Sequence, residues 1–521
     1  MRAERVLVVG AGVGGLVAAL ELATHGMEVL LLERADAPGG KMREVQIDGL
    51  GLDAGPTVFT MRWVFDELFD SIGTSVDDHL TLRPTHTLAR HAWAGDEGGT
   101  AQLDLFADVG RSADAIAMFA GAAEARGYRE FCGRAQRIYQ TLERPFLRAS
   151  RPNPLTLAGR VGLHKLPDLA RISPFATLWG ALGSHFKDPR LRQLFGRYAT
   201  YCGSSPFSAP ATLMLVAHVE RQGVWLVDGG MHRVAEVLAG LAVKRGVSIR
   251  YGAQVNRLLL HGGCVCGVQL AGGEILDASA VVFNGDVAAL AGGLLGEEAR
   301  SAVARQPASR RSLSAITWNL LAPTRGFDLL RHNVFFSNDY PAEFDQLCAQ
   351  SRWPTEPTIY VCAQDRSGAD PRAPAGPERL LCLVNAPPTG DGAAYHTKEL
   401  AQCEERTFQR LSRCGLQIER HPALTRMTTP ADFERLFPAT GGSLYGQASH
   451  GWRASFNRPG SRSRVPGLYL AGGSTHPGPG VPMAALSGRL AAASVLEDAA
   501  RRPASTTRLP AVATPGGIST R

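Results

Sequence analysis

No run of eighteen apolar residues occurs in this 521-residue chain, so no membrane-spanning helix is expected. There is no CxxC pair either. The nine cysteines (Cys132, Cys202, Cys264, Cys266, Cys348, Cys362, Cys382, Cys403 and Cys414) are scattered and odd in number, which fits a reducing cytoplasm better than a disulfide framework. Cys264 and Cys266 are separated by one residue on an expected strand and share a face, but no His or Cys stands at metal spacing. They read as packing residues, and no metal is expected. A strong charge of one sign is lacking too. The 55 basic and 48 acidic residues leave +7, with no basic run of the kind that follows a nucleic acid. That balance is compatible with a weak attraction to anionic lipid. An HExxH motif, a Ser/His/Asp arrangement and a second GxGxxG for a nicotinamide cofactor are all missing. No signal peptide is expected, because a nucleotide-binding pattern already uses the apolar start of the chain.

That pattern organises what is present. Arg5-Val-Leu-Val-Val-Gly10 reads as a short buried strand. The turn Gly10-Ala-Gly12-Val-Gly14-Gly15 follows, then a helix over Leu16 to Ala23, then a second strand from Met27 to Glu33. Strand, glycine turn, helix and acidic strand end are the context that a dinucleotide fingerprint requires. Gly10 permits the tight turn, Gly12 and Gly14 leave the backbone open to a pyrophosphate, and Gly15 lets the helix pack on the strand. The phosphates would sit on free N–H groups at the positive end of the helix dipole. Glu33 would accept hydrogen bonds from an adenosine ribose, and its charge argues against NADP.

Downstream, Arg34 and the doublet Gly39-Gly40 with Lys41 and Arg43 follow the second strand, and Asp53-Ala-Gly55-Pro56 comes next. An ordinary surface turn after Pro38 is the alternative for the doublet. Near the other end, Gly472-Gly473-Ser-Thr-His476-Pro477-Gly478-Pro-Gly480-Val481-Pro482-Met483 joins a strand to a helix. Pro482 suits a first helical turn. Such a helix start would stabilise an anionic group, or else simply close the sheet.

With those residues quoted, the chain resembles the bacterial carotenoid desaturases of the phytoene desaturase type. These belong to the flavoprotein superfamily of amine oxidases and Rab GDP-dissociation inhibitors. The resemblance implies an α/β fold: a Rossmann-like FAD-binding domain of the amine oxidase/GDP-dissociation-inhibitor type with a discontinuous α+β substrate domain. The FAD domain would comprise residues 1–85, 221–298 and 421–500. The substrate-binding and membrane-docking domain would comprise 86–220 and 299–420, leaving 501–521 as a disordered tail. It implies FAD as cofactor. Arg34, Gly40 and Lys41 would lie by the pyrophosphate, Gly55 and Pro56 by the flavin, and Val255 by the adenine. Gly472, Gly473, Gly480, Val481, Pro482 and Met483 would flank the flavin edge. Leu52 to Phe59 and the run Val-Pro-Met-Ala-Ala-Leu-Ser-Gly ending at Gly488 look closest to the hydroxyneurosporene (methoxyneurosporene) dehydrogenase branch. That branch introduces the C-3,4 double bond into acyclic 1-hydroxycarotenoids on the way to spheroidene or spirilloxanthin.

Such chemistry needs an apolar site, with flavin as hydride acceptor and a quinone or oxygen as electron acceptor. Arg144, Arg148 and His476 are the polar candidates beside the flavin. Salt bridges or a surface position are the alternative for the arginines, and a turn-stabilising hydrogen bond is the alternative for His476. The acyclic hydroxycarotenoid is dissolved in membrane. Residues 155–186, basic, apolar and bearing Trp179, would dock a cytoplasmic protein on the inner (photosynthetic) membrane, or else pack on the protein's own core. Rival readings are a phytoene or neurosporene desaturase, a flavin amine oxidase or a carotenoid isomerase. A non-catalytic prenyl-chain carrier predicts no bound FAD, and the fingerprint argues against it.

Overall fold

The computed structural model describes residues 5–95, 99–150, 153–161, 175–367, 374, 376–392 and 397–501. The expected tail over 502–521 lies outside them, as do residues 162–174 of the expected docking segment and parts of the 363–377 loop.

Strand Arg5–Val9 carries apolar residues on both sides of its pleat, which suits a sheet covered on both faces. It is central among five parallel strands, in the order Ser248–Arg250, Glu28–Leu32, Arg5–Val9, Ala280–Phe283, Leu468–Leu470. Val6 and Val8 join the core formed with helices Val13–Thr24, His232–Lys244 and Val481–Arg501. Leu7, Val281 and Phe283 point the other way, against the antiparallel strands Val255–His261 and Cys264–Leu270. Helix Val13–Thr24 touches the strand before it and the C-terminal helix behind it, and glycines permit both contacts. A Cβ on Gly15 would stand 2.1 Å from the Gly10 carbonyl oxygen, and one on Gly488 would stand 2.3 Å from that of Gly14.

A second, seven-stranded sheet runs Thr425–Thr428, Ser314–Ala322, Glu378–Ala386, Ile359–Ala363, His332–Phe335, Thr87–Ala94, Thr100–Phe106. All pairs are antiparallel except His332–Phe335 with Thr87–Ala94. Strand Thr425–Thr428 lies past the expected boundary at 421. It pairs with Ser314–Ala322 and so belongs to this sheet, a pairing between segments a hundred residues apart that local composition does not carry. Ile316, Trp318 and Leu320 face helix Thr397–Arg413 and pack on Phe408 and Leu411. By the alternation of a strand, Thr317 faces the opposite side. That side meets the helical region around Ala122–Leu142, where Phe131, Phe186 and Phe195 pack together, with Phe186 and Phe195 stacked at 4.7 Å. Among the described residues no helix is long and apolar enough to cross a membrane.

Candidate functional site

One cavity of about 1120 Å³ lies between the two sheets and is lined from both. At the parallel sheet its wall contains Gly10, Gly12, Gly14, Glu33, Arg34, Gly40, Lys41 and Val255. Further along come Gly55, Pro56, Gly472, Gly473, Gly480, Val481, Pro482 and Met483. The fold thus brings every cofactor residue expected from sequence to one surface except Gly15, which packs behind the turn.

The local chemistry suits a dinucleotide. Gly12 is the N-cap of the fingerprint helix and offers no side chain to cap it, so the first N–H groups are left to a ligand. Glu33 is buried, and its two oxygens accept from the backbone N–H of Ala11 at 2.7 Å and of Ala35 at 2.8 Å. These bonds orient the carboxylate before any ribose arrives. Lys41 is half-buried in the cavity wall, and its ammonium donates to the Leu444 carbonyl at 2.7 Å. No carboxylate lies within ion-pair distance of it among the described residues. Burial therefore pulls the Lys41 pKa down. Arg458, buried nearby, donates only to backbone carbonyls among its described hydrogen bonds, those of Tyr445, Gly473 and Gln447. Two cations in the wall, with Asp286 as a nearby charge but no ion pair to it among the described residues, fit an anionic cofactor. Arg34 reaches the carbonyls of Arg435 and Leu436 and so ties the wall of the cavity to helix Pro430–Leu436.

The loop through Gly55 is clamped between helix His232–Lys244 and the seven-stranded sheet. The Asp53 carboxylate accepts from the N–H groups of Met231 (2.8 Å) and His232 (3.1 Å), capping helix His232–Lys244. Its carbonyl accepts from Asn319 (2.9 Å) and Gln364 (3.0 Å). Sequence reading quoted Asp53 but missed this role, because its partners lie far along the chain.

The three expected polar residues beside the flavin are placed elsewhere. Arg144 is exposed and does not line the cavity. Arg148 pairs with Glu67 at 2.6 Å and Glu143 at 3.0 Å, and its guanidinium lies 3.7 Å from the Trp63 ring centre. His476 stands behind the wall: Nε2 donates to the carbonyls of Phe146 (2.9 Å) and Ala149 (3.1 Å), and its ring meets Phe146 edge-on at 4.9 Å. Arg148 is ion-paired and Arg144 lies at the surface, the alternatives at those positions, whereas the described bonds of the His476 ring go to a distant segment and not to its own turn.

Sequence reading missed the polar groups that do face the cavity from the substrate side. His91, Thr317, His332 and Tyr360 come from the seven-stranded sheet, and Arg197, Tyr198, Tyr201 and Glu220 from the helices. Glu220 accepts from the hydroxyls of Tyr198 (2.8 Å) and Tyr201 (3.0 Å), and Arg197 donates to Tyr201 at 3.1 Å. Burial raises the Glu220 carboxyl above its usual range. Burial first, and the Arg197 charge after it, push His91 down to about 3. Only strand alternation could have signalled the sheet residues, and it needs the register to say which face is inside.

Pro154, Leu157, Phe175 and Trp452 also line the cavity. Phe175 is 76% exposed and meets Trp452 edge-on at 5.4 Å. Trp179, expected to mark the docking surface, is half-buried instead, packed on Phe207 at 4.7 Å and under Arg192 at 4.3 Å.

From residue 13 to residue 496 the sequence matches the model of flavin containing amine oxidoreductases. The chain belongs to that family. It is 54% identical to the hydroxyneurosporene desaturase of Rubrivivax gelatinosus, covering 100% of this chain and 98% of that one. To the hydroxyneurosporene desaturase of Cereibacter sphaeroides it is 48% identical, over 96% and 98%. Among solved structures, an oxidoreductase from Methanosarcina mazei aligns with a TM-score of 0.57 at 16% identity, covering 95% of this chain and 100% of that one. A putrescine oxidase variant aligns with a TM-score of 0.59 at 13% identity, over 96% and 99%. At those identities the likeness is one of fold. The protein is a flavoprotein of this family, and its dinucleotide fingerprint makes the flavin FAD.

A titration follows from Lys41. Its ammonium attracts a diphosphate, and burial lowers its pKa from 10.5. As pH rises through that lowered value the amine becomes neutral, so FAD affinity is expected to fall before the ordinary lysine range is reached. Fluorescence titration of apoprotein with FAD measures it. Lys41→Met should weaken binding about tenfold at neutral pH and abolish the slope. A slope that survives the substitution would assign it to another group.

Proposed function

We propose that the protein is an FAD-dependent carotenoid desaturase that introduces the C-3,4 double bond into acyclic 1-hydroxycarotenoids. The observation that supports this reading is one continuous cavity lined both by the dinucleotide cradle and by apolar side chains such as Leu157, Phe175 and Trp452. Full-length likeness to hydroxyneurosporene desaturases supports the same substrate class. The division into a cofactor domain and a substrate domain, with the boundary moved past residue 428, is part of the proposal.

FAD, when bound, supplies a hydride acceptor. Gly12, Gly14, Glu33 and Lys41 would hold its pyrophosphate and ribose, and Gly55, Pro56 and Gly480 to Met483 would flank its ring. The chain's own task is to position the substrate and exclude water. Leu381, Leu383 and Val334 form an apolar floor on which a polyene end can lie. Hydride loss beside a polyene leaves a delocalised cation, and the proton lost next is acidic. No strong base is required, in keeping with the positions of Arg144, Arg148 and His476.

The test is incubation of FAD-loaded protein in liposomes with 1-hydroxyneurosporene, neurosporene or phytoene, read by absorption and mass. Loss of two hydrogens with a red shift from the hydroxylated substrate is expected. Conversion of phytoene would move the protein to the early desaturases. An unchanged mass from all three would restore the amine oxidase and isomerase readings.

The proposal includes docking on a membrane surface through exposed apolar side chains at the cavity, with a quinone or oxygen accepting the electrons. Leu155 (84% exposed) and Phe175 are large apolar side chains left bare, Phe175 in the cavity lining and Leu155 next to Pro154 of that lining. Phe175→Glu is expected to lower co-sedimentation with anionic liposomes about tenfold while FAD content stays the same. Undiminished sedimentation would remove this patch as the docking surface.

A further inference from the structure

The seven-stranded sheet turns one polar chain toward the cavity. Strand register aligns Thr317, Leu383, Tyr360, Val334 and His91 in a row, and His332 shares the face of Val334 two residues away. The Tyr360 hydroxyl lies 2.7 Å from Thr57 Oγ1 and 2.7 Å from His332 Nδ1. The His332 and Tyr360 rings are parallel within 16°, 6.1 Å apart. His332 is 4% exposed and lines the cavity, yet its Nε2 has no hydrogen-bond partner among the described residues. A buried imidazole nitrogen is a costly group to leave without a partner.

We propose that His332 Nε2 is the hydrogen-bonding partner of the terminal hydroxyl of the substrate, with Tyr360 and Thr57 holding the imidazole in place. The inference rests on the desaturase reading above and names the substrate feature that the site recognises. Two arguments select an alcohol. Whichever way the protons run along Thr57, Tyr360 and His332, Nε2 is left as one donor or one acceptor, and an alcohol satisfies either. A hydrocarbon end satisfies neither and leaves the nitrogen desolvated. Position agrees as well. The carbon that bears the hydroxyl is two bonds from C-3, the nearer of the carbons that lose hydrogen. Its reader must therefore adjoin the flavin loop. Thr57, next to Pro56, provides that link. Burial, with the charges of Arg331 and Arg197, pushes His332 down to about 3, so the contact is a neutral hydrogen bond at physiological pH.

The test compares the full-length, FAD-loaded protein with its His332→Leu and His332→Gln variants. Dissociation constants and kcat/KM are measured for 1-hydroxyneurosporene and neurosporene, with binding read from tryptophan quenching in detergent micelles. His332→Leu is expected to lower the preference for the hydroxylated substrate by about 10- to 100-fold in both quantities. His332→Gln, which keeps a polar group at that depth, should restore much of it. Equal losses for the two substrates would make His332 a structural residue and overturn the proposal, as would an unchanged preference. Where His332→Leu fails to retain FAD, Tyr360→Phe decides by the same ratio, since it frees the imidazole without emptying its place. Wild-type protein that binds and converts both carotenoids equally would sink the hydroxyl contact alone. Wild-type protein that takes neither would sink the desaturase reading with it.

Discussion

Arg366→Met is expected to lower the stability of the protein by about 3–5 kcal/mol, read as the urea midpoint and slope of the FAD-loaded chain. Arg366 and Glu378 are 4% and 1% exposed. They meet in a bidentate pair, Nε to Oε2 at 2.9 Å and Nη2 to Oε1 at 2.8 Å. Arg366 also donates to the Leu329 carbonyl at 2.8 Å and to Thr324 Oγ1 at 3.2 Å. The pair pins one end of strand Glu378–Ala386, whose alternate residues Leu381, Leu383 and Asn385 line the cavity. Removing the guanidinium strands a carboxylate in a site that water does not reach, and the desolvation cost of that charge is the expected loss. The measurement that separates stranded charge from lost packing is the double replacement Arg366→Met with Glu378→Leu. It should recover most of the stability, because two apolar side chains of similar volume need no partners. A double variant as unstable as the single one would show that shape, and not charge, is at stake.

Gly488→Val is expected to yield protein with less than about a tenth of the wild-type FAD content, on the scale of overpacking costs in a rigid contact. The C-terminal helix crosses the fingerprint helix at this residue. A Cβ there would lie 2.3 Å from the Gly14 carbonyl oxygen and 3.1 Å from the Val17 Cβ. The obstacle is backbone, which cannot rotate aside as a side chain can. Displacing the C-terminal helix would move Val481, Pro482 and Met483, which line the cavity at its other end. Displacing the fingerprint helix would open the phosphate turn. Ala493→Val, at an exposed position of the same helix, is the control for the lower helix propensity of valine and should keep its flavin. Flavin content is read by absorbance after gel filtration. Wild-type content in Gly488→Val would mean that the two helices can part without harm to the cradle.

What was legible in the sequence follows from how local each feature is. The fingerprint is contiguous: a strand, a turn and a helix whose hydrogen bonds all close within about thirty residues, so Gly10 to Glu33 announced both its shape and its ligand. The strands Arg5–Val9 and Glu28–Leu32 and the helix Val13–Thr24 accordingly lie within a few residues of where the pattern put them. Arg148 and His476 were misjudged for one reason. A charged or titratable residue near a motif says nothing about which way it points, and Glu67 and the Phe146 carbonyl, which claim them, are 81 and 330 residues away. Trp179 failed in the same manner, since an apolar, basic segment can cover its own aromatic residues as readily as present them.

The sequence by itself thus determined that this chain binds a dinucleotide at its first strand–helix turn, that it has a second glycine-rich helix start near its end, and that it resembles carotenoid desaturases. Local geometry is enough for those conclusions. Only the tertiary structure decided which face of the seven-stranded sheet looks inward. With that face come the row from Thr317 to His91, the bond from Thr57 to Tyr360 across 303 residues, and the bare nitrogen of His332. A strand alternates its side chains between two faces, but pairing with distant strands chooses the face that meets substrate.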